Sequence, residues 1–252
     1  MISSCASTRG SRISRSAAEQ LMFVAVLVMM ASFHRFGSSA MMMSSTTQSS
    51  DAIRIFCFGD SLTAGTSPPE FATYPYAPHL EAALHDRGLK NVIVRHRGFP
   101  GWTSEQLLAD LRAPHGLVTA LAAASPVSIV ILLAGTNDLG LVPDARNIIH
   151  NIKLLHQACW EHEVEHTIAI GIPSSGYQSM VPEAAQKAQT VNNALASSWS
   201  GSHAITFAPF PFGFAPNDDR WSPDGLHFSP NGYKILGESL APIVEQILRD
   251  KR

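Results

Sequence analysis

From Val127 to Ala134 the chain is apolar at every position except Ser128, with no alternation of polar and apolar residues. A run of that kind suits a strand covered on both faces, as happens in the middle of a parallel sheet. The rest of the chain repeats the theme, with helical segments between. Ile53–Phe58, Asn91–Arg95, His166–Ile172 and Ala204–Phe207 read as further strands. Tyr74–Arg87, Thr103–Leu111, Asp144–Trp160, Pro182–Trp199 and Pro230–Arg249 carry apolar residues at helical spacing. Gly88 is a helix stop, Thr103 with Gln106 makes a capping box, and Pro182 opens a helix. Strands and helices in alternation predict a parallel sheet with helices on both faces, and the roughly 200 residues from Asp51 suit one such domain.

The first 50 residues differ in kind. Arg9, Arg12 and Arg15 precede 14 uncharged residues, Gln20 to Phe33, and a stretch rich in small residues and methionine follows from Gly37 to Ser50. Basic flank, apolar core and small residues such as Ser38-Ser39-Ala40 form the pattern of a secretory signal. The run is short of the roughly 20 residues that cross a bilayer comfortably. Residues 1–50 are therefore expected to direct the chain to the secretory route, with cleavage near Ala40. The alternative is a membrane anchor through residues 20–33. The domain is expected to span 51–252. A net charge of −2 supplies no electrostatic reason to propose nucleic acid as a partner, and no obligate protein partner is evident. Cys57 lies in a strand-like run and Cys159 near a helix end, so buried free thiols are expected rather than a disulfide.

In open α/β sheets, ligands bind beyond the carboxyl ends of the strands. Ser61 follows the first predicted strand, Gly101 the second and Asn137 the third, so three chemically useful residues converge on one edge. Gly59-Asp60-Ser61 sits where a strand turns over, which lets the hydroxyl project from the sheet top. The same serine could equally cap a helix. It does not belong to a G-x-S-x-G elbow, because Thr63 occupies the last position. Asp224 and His227 are three apart, close enough in a turn for the carboxylate to accept the imidazole Nδ1 hydrogen. Nε2 is then left to take a proton from a serine. A surface loop pair would share that spacing. Asn137 supplies an uncharged side-chain donor and Gly101 a backbone N–H open to close approach, as an oxyanion requires, though both are also ordinary turn formers. Asp138 reads as structural, holding its loop by hydrogen bonds.

Gly59-Asp60-Ser61-Leu62, Gly135-Thr136-Asn137-Asp138 and Asp224-x-x-His227, in that order, resemble the SGNH, or GDSL, hydrolase family over most of Ile53 to Leu248. The resemblance implies a flavodoxin-like three-layer α/β/α sandwich with a mainly parallel five-stranded sheet, using no metal or organic cofactor. It implies a carboxylic ester hydrolase with Ser61 as nucleophile, His227 as base and acid, and Asp224 orienting the imidazole. The oxyanion hole would comprise the Ser61 and Gly101 backbone N–H groups and the Asn137 side chain. The second family block departs from its usual N-x-G-x-x-G: His96 stands in place of the asparagine, and Pro100 stiffens the turn. That puts the loop's supporting hydrogen bonds in question. The expected partner is a small-molecule ester, with lipid-like or short acyl esters favoured over carbohydrate. The rival reading is a non-catalytic binding protein on the same fold.

Two further features draw the eye. His162-Glu163-Val164-Glu165-His166 fits the H-E-x-x-H zinc pattern, but the segment leads into a strand, so the histidines are expected to diverge. Phe207, Phe210, Phe212, Phe214 and Trp221 precede the Asp224 turn and could line an acyl pocket or cover the sheet edge.

Overall fold

The apolar run around Ile131 is the middle strand of the sheet, and all five of its residues are buried. The computed structural model describes residues 52–70, 72–197 and 204–250. The signal-like segment 1–50 and the last two residues of the predicted helix ending at Trp199 lie outside them. In chain order the elements are β1 (Ile53–Asp60), α1 (Ser61–Ala64), the hairpin strands β2 (Thr66–Ser67) and β3 (Ala72–Thr73), α2 (Tyr76–Asp86), β4 (Val92–Phe99), α3 (Ser104–Ala109) and α4 (Leu117–Ala124). There follow β5 (Ile129–Leu133), α5 (Asp138–Leu141), α6 (Ala145–Trp160), β6 (His166–Ile170), α7 (Gly176–Met180), α8 (Pro182–Ser197), β7 (Ala204–Ala208) and α9 (Pro230–Asp250).

The five long strands lie in the order β4-β1-β5-β6-β7, and every neighbouring pair is parallel. Side chains alternate cleanly between two cores. Ile55, Cys57, Ile129, Ile131, Leu133, Ile168 and Ile170 pack beneath α2 and α9. Phe56, Phe58, Val130, Leu132 and Ala169 turn the other way, beneath α3, α4, α6 and α8. Each isoleucine, leucine, valine or phenylalanine among them, once fully buried, stabilises the fold by about 1.5–3 kcal/mol relative to exposure. The result is the expected three-layer sandwich. Because the chain steps from β1 outward to β4 and then returns to β5 on the other side, the strand order reverses at β1 and β5. The crevice at such a reversal is where open α/β sheets place ligands.

The second strand runs to Phe99, four residues beyond the predicted end at Arg95, since its register with β1 continues to Asp60↔Phe99. Arg95, His96 and Arg97 hide this in the sequence. They sit on an edge strand, where charge is tolerated and deters pairing with another sheet. The fourth strand ends at Ile170 rather than Ile172. Cys57 and Cys159 are free and buried. Among the described residues no helix is long and apolar enough to cross a membrane.

Candidate active site

Asp60, the last residue of β1, caps α1: its carboxylate accepts the Leu62 N–H at 2.9 Å. Ser61 is therefore relieved of the capping role and occupies the first position of a one-turn helix, 3% exposed. Its Oγ lies 2.9 Å from His227 Nε2. His227 arrives on the loop between β7 and α9 and is 1% exposed. Its Nδ1 is 2.7 Å from Asp224 Oδ2, while Asp224 Oδ1 accepts the backbone N–H groups of Leu226 and His227 at 3.0 Å each. A carboxylate only accepts, so Nδ1 bears the hydrogen and Nε2 offers its lone pair to the serine hydroxyl. Burial pushes the Asp224 carboxyl up, but the hydrogen bond and charge of His227, with the two N–H groups, hold it below its ordinary value.

The loop carrying the pair is closed at its neck. Ser222 N–H donates to the His227 carbonyl at 2.9 Å, and Trp221 bridges to Phe228. Phe228 is fully buried against Phe210, Phe212, Trp221 and Tyr233, with ring centroids 4.9–5.5 Å away. The aromatic stretch thus serves mainly to clamp this loop from behind, with the Arg220 guanidinium over Phe212 at 4.9 Å. Phe207 turns away from it into the opposite core.

Asn137 and Gly101 come from neighbouring loops at the same sheet edge. The buried Asn137 donates through Nδ2 to the Trp102 carbonyl at 2.9 Å, which fixes the orientation of its amide. Gly101 has φ +81°, a left-handed conformation that favours glycine, and open space where a side chain would begin. Gly98 is glycine for a different reason: a Cβ there would stand 2.2 Å from the Ala64 backbone nitrogen. It packs β4 against α1. Asp138 is structural, as expected, accepting from the Ser104 N–H at 2.9 Å and the Ser104 hydroxyl at 2.5 Å. Burial raises its pKa, and the Ser104 bonds oppose that rise. These bonds answer the question left by His96, which is exposed on the edge strand. The second block is supported by Asp138–Ser104, Asn137–Trp102 and the Thr103–Gln106 capping box.

Sequence reasoning missed two supports. Lys187, on α8, donates to the carbonyls of Leu139 and Val142 at 3.0 and 2.5 Å, capping the turn that begins at Asn137. Ser104 is the other. Neither has a local signal, because each acts on a loop more than 30 residues away. His162 and His166 do diverge: His162 Nδ1 donates to the Ala158 carbonyl, and His166 Nε2 meets Thr206 Oγ1 at 2.9 Å. Among the described residues no cluster of His, Cys, Asp and Glu could hold a metal ion.

Solved structures share this architecture at low identity. A lipase/acylhydrolase from Enterococcus faecalis is 23% identical, with TM-score 0.56 over 77% of this chain and 96% of its own. The M. smegmatis aryl esterase is 23% identical, with TM-score 0.59 over 77% and 99%. Est24, a carbohydrate acetylesterase from Sinorhizobium meliloti, is 21% identical, with TM-score 0.59 over 77% and 99%. At such identities the likeness establishes the fold alone. No curated protein sequence matches. Residues 57–235, however, match the GDSL-like lipase/acylhydrolase family, a span reaching from β1 into α9 and taking in every residue of the site. On that match, the chain belongs to the GDSL-like lipase/acylhydrolase family.

Proposed function

We propose that the chain is a serine esterase that cleaves carboxylic esters through an acyl-enzyme on Ser61. One observation carries this reading: the buried Ser61 Oγ to His227 Nε2 contact of 2.9 Å, continued at 2.7 Å to Asp224. Nε2 takes the hydroxyl proton as Oγ attacks the ester carbonyl carbon, and Asp224 steadies the imidazolium that results. The carbonyl oxygen becomes an oxyanion. Asn137 has two amide hydrogens; one is committed to the Trp102 carbonyl, and the other serves the oxyanion with the Ser61 and Gly101 N–H groups. The alcohol departs with the proton held by His227. Water then gives a proton to Nε2 and attacks the acyl carbon, and Oγ recovers its hydrogen as the acid leaves. No step draws on a metal or organic cofactor.

For substrate we favour a small ester with a short or lipid-like acyl group. Tyr74, Leu141 and Met180, the large apolar side chains that stand exposed among the described residues, all lie on connections at the carboxyl edge of the sheet. An apolar rim there suits an acyl chain better than a sugar. The test is labelling with a fluorophosphonate, which reacts with activated serines. Wild type should label, and Ser61→Ala should neither label nor hydrolyse an ester panel while melting within a few degrees of wild type. A wild type that never labels would leave a binding protein on this fold.

A further inference from the structure

The hairpin β2–β3 lies against the loop that carries His227, and two buried hydroxyls join them. Ser222 Oγ is 2.9 Å from the Phe228 carbonyl. A carbonyl only accepts, so Ser222 spends its single hydroxyl hydrogen there. Ser67 Oγ, 3.1 Å from Ser222 Oγ, must then be the donor of that pair. The chain runs one way, from Ser67 to Ser222 to Phe228. Ser222 also gives its backbone N–H to the His227 carbonyl at 2.9 Å, so it grips the two consecutive carbonyls at the base of the imidazole.

At its other end the hairpin is tied to the nucleophile. Gly65 N–H donates to the Ser61 carbonyl at 3.0 Å, Tyr74 N–H to the Gly65 carbonyl at 2.7 Å, and Tyr233 hydroxyl to the Thr66 carbonyl at 2.7 Å. Ser67 and Ser222 are both buried, so water does not compete for the link. The two serines are 155 residues apart in the chain, yet they join the hairpin that follows the Ser61 turn to the histidine loop.

We infer that Ser67 and Ser222 form a hydroxyl brace that sets His227 against Ser61, which makes both of them positioning residues for the esterase reaction proposed above, on which this inference rests. The Ser61–His227 contact is a single hydrogen bond whose proton must move during the reaction. Asp224 holds the ring through Nδ1, and the Ser222 grip holds the backbone from which the ring hangs, so its distance from Ser61 is set at both places. Displacements of about 1 Å at a reacting group cost up to about 100-fold in rate.

Ser67→Ala deletes one hydroxyl and leaves every backbone bond in place. Its kcat should fall about tenfold with KM changed less than about twofold, the pattern of lost alignment rather than lost binding. The Ser222 and His227 amides should exchange with deuterated water about tenfold faster, since the loop opens more often. Ser222→Ala keeps its N–H but loses the Phe228 bond as well, so its loss should be at least as large, and the double variant should be no worse than Ser222→Ala, because the two hydroxyls act as one chain. Unchanged kcat and exchange in Ser67→Ala, or losses that multiply in the double variant, would overturn the brace. Fluorophosphonate labelling keeps the two ideas apart: an unlabelled wild type sinks the esterase, while amide exchange still judges the brace.

Discussion

Burial pushes up both carboxylates of the site, Asp60 and Asp224, yet their net shifts run in opposite directions. Asp224 is held below its ordinary value by His227. Asp60 is fully buried and pushed up from 3.8 to about 7, chiefly by loss of hydration; the Leu62 N–H opposes the rise and the nearby Asp138 charge adds to it. A folded pKa above the unfolded one means that the native state keeps a proton the unfolded chain releases. The resulting stabilisation is complete below about pH 4 and is lost as pH climbs through about 7. Asp60→Asn holds no titrating proton. Relative to wild type it should therefore gain stability between pH 5 and 8, on the order of 1 to 3 kcal/mol. Thermal melts of both proteins at the two pH values check this, and a constant difference would refute it. The letters Gly59-Asp60-Ser61 marked Ser61 as the candidate nucleophile in the sequence, but left open whether the serine was a helix cap. Only the structure, by giving the cap to Asp60, frees the hydroxyl for His227.

Among the elements, α5 is one turn long and cannot hold its own shape; helices so short depend on their caps and contacts. Ser104 binds its first residue and Lys187 its last carbonyls. Lys187→Met should cost about 1 kcal/mol and lower the melting temperature by about 2–4 °C, the effect of a lost cation at a helix C-terminus. A melting temperature equal to wild type would remove Lys187 from this role. The long strands and helices were legible because their periodicity is written locally. The element α4, Leu117-Val118-Thr119-Ala120-Leu121-Ala122-Ala123-Ala124, was not, since its nearly uniform apolar surface leaves no polar face to mark a helical period. The hairpin escaped notice for another reason. Its paired segments are two residues each, and what fixes them is bonding to Tyr233 and Ser222, far along the chain.

At the scale of the molecule, everything described begins at β1, and we propose that residues 1–50 are a secretory signal. A chain beginning near Ser44 retains every described element and should be soluble and as active as the full-length one. N-terminal sequencing of the native protein should find a start close after Ala40. An intact N-terminus in membranes would favour an anchor, and an intact one in the cytosol would sink both. The sheet also separates the proposed reacting pair widely along the chain: the serine follows the first strand, and the histidine follows the last, 166 residues later. Ribosomes add about 5 to 20 residues per second, so Ser61 emerges roughly 10 to 30 s ahead of His227. During that interval the growing polypeptide carries a serine that nothing can activate. Under the proposed mechanism, synthesis itself therefore acts as a safety catch, and hydrolysis starts only when the late-made histidine reaches the early-made serine.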